Sequence, residues 1–226
     1  MMEKIAIIVA GGSGTRMGSQ IPKQFLLLDG YPVLMRTIRT FHSYDPEIRI
    51  ITVLPADQAK YWQTLCSKFR FTISHDIVPG GKTRHYSVRN AMEEVKAGAI
   101  VAVHDGVRPL VSVALIQTCF DTAAILGNAI PVIDIPESIR RVEGESNTSA
   151  DRTAFRLVQT PQVFRSELLI DAFGQSYDPS FTDEANLVEA SGISIHLVNG
   201  QRENIKITTT LDMRIASAIL ESGNEG

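Results

Sequence analysis

Glycines and cations gather where a short apolar run ends. Ala10-Gly11-Gly12-Ser13-Gly14-Thr15-Arg16-Met17-Gly18 follows that run and leads into Ile21-Pro22-Lys23-Gln24. With no Cβ in the way, the backbone N–H groups of Gly11 and Gly12 can approach phosphate oxygens, and successive N–H groups can form an anion cradle. Arg16 and Lys23 would add two cations. The segment is not a lysine-terminated P-loop. It begins a dinucleotide fingerprint with Gly12-Ser13-Gly14, but the third glycine position, 17, is Met, and Pro22 forbids an early helix. The plainer alternative is an ordinary glycine-rich turn between a strand and a helix.

Three further clusters share this chemistry. His104-Asp105-Gly106-Val107-Arg108-Pro109 closes an apolar run. At the carboxyl end of a strand, Asp105 could hold Mg²⁺ or a ribose hydroxyl, or it could simply satisfy its own turn with Arg108 as partner. Pro79-Gly80-Gly81-Lys82-Thr83-Arg84-His85-Tyr86-Ser87 places glycine backbone, cations and a hydroxyl at the start of a helix. It could read a base and grip phosphates, or be a turn with a solvated helix start. The fourth group joins Asp151-Arg152, Thr160-Pro161-Gln162, Thr182-Asp183-Glu184-Ala185 and Asn204-Ile205-Lys206-Ile207-Thr208. Asp183 and Glu184 suit the positive end of a helix whatever else they do. Lys206 lies between Ile205 and Ile207, on the opposite face of an extended run, and calls for an anionic partner such as a ligand phosphate.

Other chemistries find no support. The histidines at 42, 75, 85, 104 and 196 have no HxxxH or HExxH spacing, which argues against a tightly bound transition metal. There is no GxSxG elbow, and neither Cys66 nor Cys119 has a hydrolase context. What remains is an excess of cations converging on one sheet edge, which suits transfer of a highly charged phosphoryl group.

The elements that must bring these segments together are legible as alternating strands and helices. Apolar runs without alternation, the mark of strands buried on both faces, occur at 4–10, 48–54, 73–78, 99–105 and 128–133. Helical patterns at 32–43, 56–68, 83–96 and 112–126 separate them, as βαβ crossovers require. Ser112 is a good N-cap and Gly127 a good helix terminator. After Pro136 the pattern changes to polar-apolar alternation around Gly144-Glu145-Ser146-Asn147, which predicts a hairpin arm at about 137–158 that could reach a second subunit. Helices at 166–175 and 183–191, a strand at 193–198 and a closing helix at 210–221 complete an α/β fold: a Rossmann-like open, mainly parallel twisted sheet with helices on both faces. The expectation is one domain over 1–226 with this arm attached.

Composition sets the outer bounds. A net charge of −3 provides no positive field to hold a polyanion, so nucleic acid is not expected as a partner. Hydrophobic content of 44% with 21% charged residues is that of a globular chain. The apolar run near the N-terminus is too short to span a bilayer and lacks a signal cleavage pattern, so a cytoplasmic protein without membrane contact is expected. Two cysteines without CxxC spacing read as core thiols in a reducing compartment.

Taken together, AGGSGTRMG with PKQ, PGGKTRHYSV, VHDGVRP, ADRTAFRLVQTPQVF, TDEA and GQRENIKIT resemble the 2-C-methyl-D-erythritol 4-phosphate cytidylyltransferases, CTP-using enzymes of the non-mevalonate isoprenoid route. The resemblance runs from about Ile5 to Ile215. It implies that Arg16 and Lys23 stabilise the transition state and that Arg152 and Lys206 position the acceptor phosphate. It further implies that Gly11, Gly12, Gly81 and Ser87 contact CTP, with Asp105 near its ribose and Mg²⁺, while Arg108, Thr160 and Thr182 line the acceptor site. In such enzymes the arm exchanges across a homodimer, so Arg152 would complete the partner's site. Where the family has Asp-Thr before a basic stretch, this chain reads Asp134-Ile135-Pro136-Glu137-Ser138-Ile139-Arg140, and Ser138 stands in for the acceptor-binding Thr. The rivals are a ribitol 5-phosphate cytidylyltransferase, a non-catalytic nucleotide-binding protein on the same fold, and a dehydrogenase, against which the broken glycine fingerprint counts.

Overall fold

A computed structural model describes residues 2–11 and 21–223. Its centre is the parallel trio β1 (Glu3–Val9), β4 (Arg49–Leu54) and β6 (Ala99–Asp105), with β1 in the middle. Side chains alternate between the two sheet faces. Ala6, Ile8, Ile50, Ile100 and Ala102 pack with helices α1 (Val33–Tyr44), α2 (Ala59–Lys68) and α4 (Val113–Leu126). Ile5, Ile7, Ile51, Val53, Val101 and Val103 pack on the other side with α3 (Arg84–Met92), α5 (Ser166–Phe173) and α6 (Glu184–Glu189). Burial on both faces is why these strands read as unbroken apolar runs.

Strand order is β10 (Arg156–Val158), β7 (Asn128–Asp134), β11 (Gln162–Arg165), β6, β1, β4 and β5 (Asp76–Pro79), with β12 (Leu197–Asn199) pairing on β7. β5 (Asp76–Pro79) continues the parallel set beyond β4. The helix stops are those expected: Ser112 accepts from the Leu115 N–H, and Gly127 closes α4 at φ +93°. A third cluster, Leu28, Val33, Val107, Ile207 and Ala216, forms under α7 (Thr210–Gly223).

The structure differs from the sequence expectations in several places. The third strand starts at Asp76 rather than 73, α3 ends at Met92 rather than 96, and the strand expected at 193–198 is the short β12. Two short strands, β2 (Leu27–Leu28) and β3 (Tyr31–Pro32), pair as a small hairpin too brief to show a period. The expected arm at 137–158 resolves into two parts. β8 (Ile139–Glu143) and β9 (Ser146–Ala150) form a separate two-stranded hairpin around Gly144 at φ +60°, whereas β10 (Arg156–Val158) returns to the main sheet against β7. β11 (Gln162–Arg165) was not anticipated; it inserts antiparallel between β6 and β7. Its ends, Gln162 and Arg165, are polar, and Val163 and Phe164 are buried in the core clusters on opposite faces of the sheet.

Candidate active site

The chemistry-bearing loops leave the sheet at one edge because the strands stop in register. Val9 is opposite both Val53 and Asp105. Beyond them Ala10 N–H donates to the Val53 carbonyl, Gly106 N–H to the Val9 carbonyl and Gly80 N–H to the Leu54 carbonyl. In open α/β sheets ligands bind in the crevice beyond the carboxyl ends of the strands. Here that crevice has a volume of about 290 Å³, and its lining includes Gly11, Lys23, Gly81, Ser87, Asp105 and Lys206.

Asp105 is the electrostatic pivot. Its Oδ2 lies 3.0 Å from Lys206 Nζ and 3.1 Å from Arg108 Nε, and its Oδ1 lies 3.8 Å from Arg84 Nε. Burial alone would raise this carboxyl, but the charges of Lys206, Arg84 and Arg108 outweigh it and hold the group well below the usual carboxylate range. Asp105 is therefore a fixed anion at physiological pH, and Lys206 has the anionic partner its apolar neighbours called for.

Behind Asp105 lies a polar chain that sets its backbone. The Asp105 N–H donates to Thr160 Oγ1 at 3.1 Å, and Thr160 Oγ1 meets His104 Nδ1 at 3.0 Å. His104 Nε2 lies 3.1 Å from the Arg108 carbonyl. A carbonyl only accepts, so Nε2 carries the proton and Nδ1 accepts from the Thr160 hydroxyl. Burial lowers the His104 pKa to about 4, which keeps the ring in this neutral form. Arg108 also donates from Nη1 to the Asn204 carbonyl at 2.8 Å, while Asn204 Nδ2 donates to the Thr160 carbonyl at 2.8 Å. Arg108 and Thr160 thus brace Asp105 and are absent from the crevice lining.

The glycine loop before α3 is held by Ser87, whose hydroxyl accepts from Gly81 N–H at 3.1 Å and donates to the Thr83 carbonyl at 2.9 Å. A Cβ at Gly81 would lie 2.4 Å from Tyr86 Cβ, so this close fold of the loop onto α3 requires glycine. Lys23 begins a short 3₁₀ turn whose Phe25 is buried and stacks on Trp62. Gln24, also buried, ties that turn to the end of β1: its Nε2 donates to the Ala10 carbonyl at 2.9 Å and to Gln58 Oε1 at 2.8 Å.

The crevice does not collect every expected residue. Gly12 and Arg16 lie outside the described residues. Arg152 and Ser138 are exposed near the base of the arm, where Arg152 donates to the Pro136 carbonyl. Thr182 lines a small neighbouring cleft with Arg84, His85 and Glu184. Conversely, Arg84 and Glu184, to which the sequence gives no individual role, form an ion pair at the crevice wall with the acid buried. Arg84 carried a usable signal: a cation at the first position of a helix opposes the helix dipole and needs an anion nearby. Glu184 carried none, because an acid there looks like ordinary helix initiation.

An open α/β sheet whose carboxyl edge presents glycine backbone and cations around one fixed carboxylate defines a protein built to hold an anionic, nucleotide-like ligand. Comparison with known proteins narrows the class. Residues 4–222 match the family model for 2-C-methyl-D-erythritol 4-phosphate cytidylyltransferase. Proteins of that name from Bacteroides thetaiotaomicron and Porphyromonas gingivalis are each 48% identical, covering 97% of this chain and 100% and 99% of theirs. The crystal structure of the Thermus thermophilus enzyme of that name aligns with a TM-score of 0.77 at 30% identity, covering 97% of this chain and 98% of that one. A 4-diphosphocytidyl-2C-methyl-D-erythritol synthase from Anaerococcus prevotii aligns at 0.82 with 26% identity, over 97% and 96% of the two chains. The chain belongs to the 2-C-methyl-D-erythritol 4-phosphate cytidylyltransferase family.

Proposed function

We propose that this protein transfers the cytidylyl group of CTP to 2-C-methyl-D-erythritol 4-phosphate, giving 4-diphosphocytidyl-2-C-methyl-D-erythritol and pyrophosphate. The observation that carries this reading is the crevice in which Lys206 and Arg84 flank Asp105, with Lys23 and the glycine backbone of Gly11 and Gly81 lining the same space. An oxygen of the acceptor phosphate attacks the α-phosphorus of CTP in line. A new P–O bond forms, the bond from the α-phosphorus to the α–β bridging oxygen breaks, and pyrophosphate leaves with that electron pair. No general base is required, because a phosphate monoester is already largely ionised at neutral pH. The obstacle is repulsion between anions, and cations fixed before the reaction lower it without reorganising.

In this mechanism Lys23, together with Arg16, stabilises charge on the oxygens around the α-phosphorus. Lys206 steers the acceptor phosphate, and Gly11, Gly12, Gly81 and Ser87 shape the nucleotide pocket. Asp105 fits a Mg²⁺ site, since it stays ionised and its Oδ1 meets only Arg84, at 3.8 Å, among the described residues. Mg²⁺ needs only one or two protein carboxylates when substrate phosphates supply the rest, and it would neutralise charge on CTP.

Arg152 and Ser138 are assigned to the acceptor through a homodimer, in which the arm of one protomer reaches the crevice of the other and Thr182 faces the same acceptor. Support comes from Val142, Phe155, Leu157 and Val158, all exposed along and beside the arm. A cytoplasmic setting fits the two cysteines, which are both unpaired, and no described helix is long and apolar enough to cross a membrane.

The test is pyrophosphate release with CTP and Mg²⁺. Faster release with 2-C-methyl-D-erythritol 4-phosphate than with ribitol 5-phosphate is expected. A preference for ribitol phosphate would reassign the acceptor, and no release with either would return the chain to nucleotide binding alone.

A further inference from the structure

Glu184 is a carboxylate set apart from the reaction. It is 2% exposed, its Oε1 accepts from Arg84 Nη1, and its Oε2 is buried with no hydrogen-bond partner among the described residues. Burying an acid with one oxygen unsatisfied is costly, and a buried ion pair is in general no more stabilising than apolar packing of the same volume. Stability alone therefore gives weak grounds for an acid here.

The placement of the pair supplies a better reason. Glu184 begins α6, and the start of α6 is fastened to the buried strand β11 by both ends of one amide. Gln162 Nε2 donates to Asp183 Oδ2 at 2.9 Å, and Gln162 Oε1 accepts from Ala185 N–H at 2.9 Å. Asp183 in turn caps the helix by accepting from Asn186 N–H. Glu184 is thus held by the central sheet, and Arg84 stands at the first position of α3, just past the glycine loop. Arg84 lines the crevice, and its side chain keeps 25% of its surface exposed. Its guanidinium has five N–H donors in a rigid fork. One is committed to Glu184, and Nε lies 3.8 Å from Asp105 Oδ1, beyond hydrogen-bond reach.

We infer that Glu184 is a positioning residue: it holds the Arg84 guanidinium at the crevice wall so that its remaining donors meet the phosphate oxygens of the bound nucleotide. Arg84 is then a further nucleotide-binding residue. The inference rests on the CTP reading of the crevice.

A double-mutant cycle tests it, with CTP binding measured by calorimetry on the full chain. Glu184→Gln keeps the shape and removes the charge; it should weaken CTP binding about tenfold while the protein melts within a few degrees of wild type. Arg84→Met should weaken binding at least as much. Adding Glu184→Gln to Arg84→Met should then change affinity no further, because the acid acts only through the arginine. If Arg84→Met does not fold, the double variant, which leaves no buried charge unpaired, replaces it as the measure of losing Arg84; affinity no tighter than that of Glu184→Gln alone is expected. The inference is overturned if Glu184→Gln binds CTP as wild type does, if it weakens binding equally in the Arg84→Met background, or if the double variant binds CTP more tightly than Glu184→Gln alone. Failure of wild type to bind CTP would instead refute the nucleotide reading itself.

Discussion

The crevice and the arm put charged residues to opposite uses. Around Asp105 each cation is met by a carboxylate or a carbonyl, and the carboxylate is buried and braced through Thr160 and His104. On the arm, Arg141 and Glu143 pair at 2.7 Å with 75% and 64% of their side chains exposed, and among the described residues Arg152 reaches only a backbone carbonyl. Water screens the second arrangement and is largely kept from the first, so equal charges have unequal consequences. The crevice is organised within a single chain, whereas the arm has no comparable buried frame among the described residues.

The contrast breaks most sharply at the lysines. Lys206→Ala or Lys23→Ala should leave a folded protein that turns over roughly 10²–10³ more slowly, the scale seen when one preorganised charge-stabilising donor is lost. Unchanged steady-state turnover in either variant would remove that lysine from the site.

Next in size is the response to acid. His104 is held neutral with a pKa of about 4 against an ordinary 6.5. Above pH 6.5 neither folded nor unfolded chain binds this proton. As pH falls from 6.5 to 4 only the unfolded chain takes it up, so stability declines by about 3 kcal/mol and then levels off for this group. Asp105 adds a further loss below pH 4, since its depressed folded pKa favours the folded state only while the carboxyl is ionised. Urea unfolding across this range should show the decline, and His104→Gln should flatten the portion above pH 4. An equal slope in the variant would place the titration elsewhere.

Arg152→Ala probes the arm. It should raise KM for the acceptor about tenfold, leaving CTP affinity and melting temperature unchanged, because the side chain is exposed and bonded to one carbonyl. If KM for the acceptor did not move, the arm would have no part in catalysis. The smallest effect belongs to Arg141→Ala, where loss of an exposed ion pair should alter stability by under about 0.5 kcal/mol in chemical denaturation. A loss several times larger would mean that the arm is packed against something in solution.

Much of this frame could be read before any coordinates. Strands buried on both faces show as unbroken apolar runs, and Ser112 and Gly127 bound α4 by local chemistry alone. That Gly11, Lys23, Gly81, Ser87, Asp105 and Lys206 would gather at one crevice was legible because glycine, cations and an acid at strand ends are unusual in company. β11 was not legible, since Gln162 and Arg165 are polar and its antiparallel place comes from gaps left by β6 and β7. Arg108 and Thr160 were read as acceptor contacts, and their place behind Asp105 depends on hydrogen bonds to residues up to 96 positions away.

The sequence by itself determined the alternation of the main strands and helices from β1 to β7, the caps of α4 and the chemical character of the carboxyl edge, because periodicity, capping and glycine geometry act over a few residues. Only the tertiary structure decided which charges meet. Arg84 joins Glu184 across 100 residues, and Asp105 draws Arg84 and Lys206 from two remote segments in addition to Arg108 in its own turn. Coulombic and hydrogen-bond terms depend on distance and burial, and neither is set until the sheet has brought remote segments together.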